Sequence, residues 1–464
     1  MDLKNIKLKT LLIFPPEIEK LKKTKNNFEK FLAGENSPPL GMAKLVGYLK
    51  KIGYKNIKSI DLRTDKNFKN NLNQFAKNIK TDIVGISAVY NIQLPAAIKL
   101  ANAIRRHNKK IFILIGGNAI SDNLEYLINN PIILRSVDAI IFGDGEKPLE
   151  KIIYHLGTDK KLYSVPNIIY NDKKSLKKSG HLFRCSKNFI DILPDFTKIN
   201  SLPFIPLKIS IGCYWRKCTF CAPTRTYPKY PYQIATIEST LNIIKQLNIK
   251  YNKKRFVFFD DSIPPHYLEQ LSKELIKRKF NIQWEVKATC LDAKFINKKL
   301  VSLLKKSGCQ EIGFGMESFS PKILKQMNKI HTVQNALKIL KLFKEEKIKT
   351  NIHILFGFPG ETIRDVKTTL ASLKKYNNLY EYFIINYFRL YKNSYIHKNP
   401  LKFNITDKKD IKDYGFAVCG FKNRNEINYE KLKILIKKFN LENKATELNW
   451  WKPVFFEEME KLKQ

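Results

Sequence analysis

Three cysteines crowd into nine residues, Gly212-Cys213-Tyr-Trp-Arg-Lys-Cys218-Thr-Phe-Cys221. This C-x4-C-x2-C run lets three soft thiolates converge on one metal centre, and thiolate donors select zinc or iron–sulfur chemistry. A structural zinc wants four ligands, usually as two pairs. No second pair follows, and the later candidates His266 and Cys290 stand isolated and far along the chain. The same spacing opens a plant-type 2Fe–2S ferredoxin site, whose fourth cysteine must follow; here Cys290 and Cys309 are distant. A 4Fe–4S cluster held by Cys213, Cys218 and Cys221 fits the spacing best. Its fourth iron then lacks a protein ligand, an open position of the kind a catalytic metal keeps.

The elements around this loop read as alternating strands and helices. From 207 to about 400 the strand candidates are Leu207 to Ile211, Arg255 to Phe259, Ile282 to Lys287, Glu311 to Gly315, Asn351 to Phe356 and Phe383 to Phe388. The clearest helix has Thr332 as N-cap, with Val333, Ala336, Leu337, Leu340 and Phe343 on one face. Six strands are two short of a closed eight-stranded barrel, so the expectation is a partial (β/α)6 barrel with its chemistry at the C-terminal strand ends.

Upstream, Thr10 to Phe14, Ile57 to Asp61, Asp82 to Ser87, Ile111 to Ile115 and Asp138 to Phe142 are short apolar runs ending at Gly, Pro or Asp, as buried parallel strands do. Met42, Leu45, Val46, Leu49 and Ile52 recur at helical spacing between them, as do Ala97, Leu100, Ala101 and Ile104. This predicts an N-terminal doubly wound, flavodoxin-like parallel sheet, whose ligand lies beyond the strand ends. The division expected is 8–150 for this domain, 151–200 for a linker with weak strands, 201–400 for the barrel and 401–464 for a C-terminal extension that is Lys-rich and polar until Trp450-Trp451.

With its aromatic Phe220 before the last cysteine, the cluster resembles the motif of the radical S-adenosylmethionine (radical SAM) enzymes, with one residue more between the first two cysteines. Phe258-Phe-Asp260-Asp261-Ser262 is similar to that family's second-strand segment. Gly313-Phe-Gly-Met-Glu317-Ser318, followed by Lys325-Gln-Met-Asn-Lys329, is similar to its fourth-strand stretch, and Gly357-Phe-Pro-Gly360-Glu361-Thr362 to its fifth-strand turn. The resemblance implies that a 4Fe–4S cluster cleaves S-adenosylmethionine reductively to methionine and a 5′-deoxyadenosyl radical. It implies SAM contacts at Asp260, Lys287, Glu317, Ser318 and Gly357, with Lys287 at the end of the third strand as the cation for the SAM carboxylate.

Residues 8 to 150 resemble the cobalamin-binding domain that precedes the radical core in one branch of the family. The tokens are Pro38-Pro-Leu-Gly41, Asp82 to Ser87, Gly116-Gly117 and Gly143-Asp-Gly-Glu146. Ser87, Tyr90, Gly117 and Glu146 are the implied corrin contacts, without histidine ligation, since no His precedes His107. The implied activity is C-methylation; a radical SAM cyclase, rearrangement or oxidation enzyme is the alternative.

Composition narrows the partners. With 44% hydrophobic and 12% aromatic residues the chain can build sizeable cores. Lys+Arg number 84 and Asp+Glu 42, giving +42. The positive charge is spread among Asn and Ile rather than gathered into a stripe, so a nucleic-acid partner, as for a metal-stabilised RNA-binding protein, is not expected. A tRNA methylthiotransferase would carry three more cysteines near its start; here the first is Cys185. No apolar run reaches the roughly 18–20 residues that span a bilayer, and seven scattered cysteines do not form a disulfide framework. The expectation is a cytoplasmic enzyme with reduced thiols, a small-molecule or peptide substrate, and an electron donor such as flavodoxin or ferredoxin.

Overall fold

The computed structural model describes residues 2–16, 37–63, 71–90, 93–172, 175–179, 190–197, 199, 202–221, 232–392, 394–410, 418–423, 431–432, 434–436, 438–439 and 446–447. Cys185, Gly180 and Trp450-Trp451 lie outside them. The chain divides into two compact units, with the change at Leu202/Pro203.

The first unit is built on one sheet. Its strands are β1 (Thr10–Phe14), β2 (Ile57–Asp61), β3 (Ile83–Ser87), β4 (Phe112–Gly116), β5 (Ala139–Ile141), β6 (Ile168–Asp172) and β7 (Ser175–Lys178), in the order β2-β1-β3-β4-β5-β6-β7. The first five are parallel in the order 2-1-3-4-5, the flavodoxin-like winding. Successive residues leave opposite faces of a strand. Leu12, Ile83 and Leu114 therefore pack with Met42, Val46 and Leu49 of the helix Leu40–Lys51. Ile13, Val84 and Ile113 pack with Ala97, Leu100 and Ile104 of the helix Leu94–His107. Truncating a Leu or Ile buried in this way costs about 2–5 kcal/mol, so the strand ends are rigidly held.

Residues 151–200 differ from the expected linker. The helix Glu146–Gly157 covers one sheet face, and β6 and β7 extend the sheet as an antiparallel edge hairpin. The sheet is therefore mixed rather than purely parallel.

The second unit contains β8 (Ile205–Leu207), β9 (Ser210–Ile211), β10 (Gln233–Ile234), β11 (Arg255–Phe258), β12 (Gln283–Thr289), β13 (Cys309–Glu317), β14 (Lys349–Phe356), β15 (Tyr382–Tyr387), β16 (Leu390–Tyr391), β17 (Ile405–Asp410), β18 (Val418–Asn423) and β19 (Thr446–Glu447). Its main sheet runs β8-β11-β12-β13-β14-β15-β19, with all neighbours parallel. Four of the intervening helices start as follows on side-chain caps: Thr236 accepts from Ser239 N, Asn297 from Leu300 N, Thr332 from Asn335 N, and Thr362 with Asp365 forms a reciprocal capping box.

Two details depart from expectation. The strand read as Leu207 to Ile211 is broken into β8 and β9, and β9 pairs with β10 instead. The extension beyond 400 supplies the seventh strand, β19, and two strands of a small antiparallel sheet β16-β18-β17. Among the described residues no helix is long and apolar enough to cross a membrane.

Candidate functional site

The break between β8 and β9 launches the cysteine loop, and Asp260 causes it. Just past β11, its buried Oδ1 accepts from Ile209 N at 3.0 Å, Ser210 N at 2.6 Å and Ser210 Oγ. Backbone amides that would continue the ladder are thereby turned onto a carboxylate. The loop then meets the next strand end through an isolated bridge between Cys213 and Ser262. Its far side is stapled to residues 326–328. Thr219 donates through N to Met327 O at 3.1 Å and through Oγ1 to Gln326 O at 3.0 Å, while Asn328 Nδ2 donates to Lys217 O at 2.9 Å. Phe220 sits edge-on to Phe358 at 6.4 Å, packed against the cluster of Ile323, Met327, Leu355 and Phe388. The aromatic before the last cysteine thus fastens the loop to the core.

Cys213, Cys218 and Cys221 are partly exposed and not disulfide-bonded. Desolvation pushes the Cys218 and Cys221 thiols up; Cys213 raises both further, and Cys218 adds to the rise at Cys221. Three thiolates persist together only with a positive centre among them, which is the role of a metal cluster. Among the described residues no three Cys, His, Asp or Glu side chains converge on one ion. A multi-iron cluster offers each thiolate its own iron, and soft thiol donors in this spacing fit an iron–sulfur cluster.

Cys290 corrects the sequence reading. Distant in sequence, it lies just after β12 against Cys213, with Ser262 Oγ 3.5 Å from its sulfur. Its hydrogen bond holds the Cys213 thiol below the usual range and raises Cys290 itself. Cys309, at the opposite end of β13 from Glu317, is fully buried.

The expected SAM contacts fall into distinct groups. Asp260 is held in the clamp described, its carboxyl raised to about 6 by burial. Ser318 is fully buried, sharing a 3.2 Å hydrogen bond with Thr369 Oγ1 and accepting from Ser320 N at 3.1 Å. Both organise backbone. Lys287 lies inside β12, two residues before its end, and its ammonium is 3.1 Å from Glu285 and 3.8 Å from Glu311. Glu317 ends β13 and pairs with Lys329 at 3.2 Å. Gly357 N donates to Glu361 Oε2 at 2.6 Å, so a carboxyl raised to about 8 by burial closes the turn after β14. The roles of Lys329, Glu361 and Cys290 were missed; only the presence of Lys329 and Glu361 in the quoted motifs hinted at them.

In the first unit, a cavity of about 290 Å³ opens at the strand ends, lined by Leu12, Gly41, Leu45, Gly85, Leu114 and Gly145 among others. Ser87, Gly117 and Glu146 line it as well, whereas Tyr90 does not. Gly117 has φ +109°, and a Cβ there would lie 2.3 Å from Ala88 O, so only glycine allows this wall. No histidine is among the lining residues. A mostly apolar, glycine-walled cleft at the end of a wound sheet fits a flat cofactor.

Residues 207–373 match the Radical SAM superfamily, and residues 32–153 match the B12 binding domain. The chain is a radical SAM protein. The two matches take in more than half of it and imply a 4Fe–4S cluster, S-adenosylmethionine and cobalamin as the cofactors. This radical SAM chain is 25% identical over 394 residues to an uncharacterized methyltransferase of Pyrococcus horikoshii, covering 82% of this chain and 80% of that one. It is 23% identical over 361 residues to the anaerobic magnesium-protoporphyrin IX monomethyl ester cyclase of Rubrivivax gelatinosus, covering 74% of this chain and 63% of that enzyme. In fold it is similar to the cobalamin-dependent S-adenosylmethionine radical enzyme OxsB (TM-score 0.68, 18% identity, 94% of this chain and 68% of that one). It is also similar to the radical S-adenosylmethionine methyltransferase TsrM of Kitasatospora setae (TM-score 0.60, 14% identity, 84% and 73%).

Proposed function

We propose that this enzyme is a cobalamin-dependent C-methyltransferase that cleaves S-adenosylmethionine reductively. The observation that carries the reading is the pairing, in one chain, of a three-thiol loop at the strand ends of a parallel sheet with a glycine-walled cavity at the strand ends of a 2-1-3-4-5 sheet. Methyltransferases among the similar proteins support it.

When bound, the cluster supplies the electron that splits S-adenosylmethionine, and the cobalamin supplies a transferable methyl group. Cys213, Cys218 and Cys221 would hold the cluster, and Phe220 with Thr219 keeps them in register. Glu317 and Gly357 remain the proposed SAM contacts at the ends of β13 and β14. Asp260 and Ser318 position the backbone around them, while Lys287 is engaged by Glu285 and Glu311. Ser87, Gly117 and Glu146 are the proposed cobalamin contacts; the cavity admits a flat portion of a corrinoid rather than the whole molecule. A flavodoxin- or ferredoxin-class protein would deliver the electron.

The test is anaerobic purification with iron, sulfide and cobalamin analysis, followed by mass spectrometry of products made with methyl-labelled S-adenosylmethionine. A product one labelled methyl group heavier supports the proposal. A product without added carbon, formed with 5′-deoxyadenosine, would instead favour a cyclase or oxidation reaction.

A further inference from the structure

The loop that carries the thiols is bordered on two sides. Thr219, between Cys218 and Cys221 in the chain, donates to Gln326 O and Met327 O on one side, and its own carbonyl accepts from Ile396 N at 3.0 Å on the other. The helix Pro321–Gln326 and the one-turn helix Tyr395–Lys398 thus both adjoin the peptide that links two of the cluster cysteines.

What these borders show to solvent has one sign of charge. Lys217 on the loop, Lys325 on the first helix, and Lys398 and Lys402 at the second are all exposed. No Asp or Glu occurs in 214–220, 321–330 or 394–403, although the chain carries 42 of them. Asp365, which meets the first border, is already held by Lys322 at 3.2 Å and by the Ser320 and Thr362 hydroxyls at 2.7 Å. Apolar surface lies among the cations. Leu401 is 80% exposed, the most of any large hydrophobic side chain among the described residues, and Tyr395 is 48% exposed. Two ammoniums lie over aromatic rings, Lys217 over Trp215 at 4.9 Å and Lys402 over Tyr395 at 5.9 Å. A leucine left in water adds nothing to the stability of this fold. Apolar and aromatic groups rimmed by charge are the anatomy of a protein-binding face.

We propose that this face docks an acidic one-electron carrier protein, which reduces the cluster through residues 217–219. The inference rests on the three-thiol cluster reading above and names where its electron enters. One electron leaves the carrier and enters the cluster; no covalent bond forms or breaks. Charge complementarity selects the partner, because a cationic rim speeds encounter with an anionic protein by about 10- to 1000-fold and salt screens the effect.

The experiment follows reduction of the anaerobically reconstituted full chain by rapid freeze-quench EPR of the cluster. Reduced flavodoxin and, separately, reduced plant-type ferredoxin are the donors. Photoreduced deazaflavin, a small neutral reductant, is the control, and iron and sulfide are measured in parallel. The triple variant Lys325→Glu, Lys398→Glu, Lys402→Glu should slow reduction by the carrier about tenfold or more at low salt, and leave the deazaflavin rate within about twofold of wild type. Wild type itself should slow by a similar factor as salt rises from about 0.05 to 0.5 M. Leu401→Ser should raise the carrier concentration giving half-maximal rate by about fivefold. Carrier reduction indifferent to both the charge reversals and salt overturns the inference alone, as does a cluster that deazaflavin reduces and neither carrier does. Should the triple variant hold no iron, Leu401→Ser and the wild-type salt series decide: effects as expected support the inference, and their absence overturns it. Wild-type protein that holds no four-iron cluster overturns the cluster reading, and the inference with it.

Discussion

The two strand-end sites of this chain are built on opposite physical plans. The cavity of the first unit is walled by glycines and aliphatic side chains, with Ser87, Asn118, Asp144 and Glu146 as its few polar members. The cysteine loop of the second unit is fixed by polar bonds from Asp260, Thr219 and Asn328. The first site selects by shape and the second by charge and ligation. A large cofactor with its own chemistry needs room and little else, whereas a cluster must be chemically anchored and electrically balanced.

The bluntest way to break this contrast is to remove a thiol. Cys213→Ala, Cys218→Ala or Cys221→Ala should each abolish the iron–sulfur absorbance and all turnover while cobalamin binding persists; 5′-deoxyadenosine formed by any of them would contradict the ligand assignment. Gly41→Leu probes the other site. A Cβ at Gly41 meets nothing within 4 Å, and the residue lies in the first turn of a helix, so leucine should stabilise that helix by about 0.5–1 kcal/mol. It should also fill the cavity and weaken cobalamin retention about tenfold or more. A rise in Tm with reduced cobalamin uptake and unchanged iron would separate shape selection from folding; unchanged uptake would place the corrinoid elsewhere.

A smaller effect concerns charge. Burial raises the Glu361 carboxyl to about 8, so the folded state holds its proton more tightly than the unfolded state. Its contribution is complete below the ordinary glutamate range and is lost as pH rises from there to about 8. The stability of wild type relative to Glu361→Gln should fall across that window and level off above it. Thermal melts of both proteins against pH measure this, and a difference independent of pH would show that the carboxyl is not held neutral. The smallest expected effect is at Cys290. Cys290→Ser should keep its iron in full; loss of iron would mean a fourth sulfur ligand and a closed cluster.

Much of this architecture was legible because the governing patterns are local. The apolar runs at residues 10–14, 82–87 and 111–115 became central strands, and Thr332 capped its helix as read. What escaped depends on which strand ends meet in space. Cys290 and Cys213 are 77 residues apart and come together only because β12 and the cysteine loop end at the same edge. Lys287 has Glu285 two residues upstream on the same strand, but only the sheet brings Glu311 beside it as well. Nothing local showed that Asp260 would take two backbone amides 50 and 51 residues upstream. The seventh strand, β19, is two residues long and too short for any periodicity to declare.

The Asp260 clamp bears on the unusual cysteine spacing. Because it ends the ladder before the first cysteine, and the Thr219 and Asn328 bonds pick up the chain beyond, the stretch between is a bridge moored at both banks. An added residue in such a span is taken up by a local kink, as at Arg216 with φ +52°, and does not shift the thiols at either mooring. Cluster-binding loops of different lengths can thus share one scaffold.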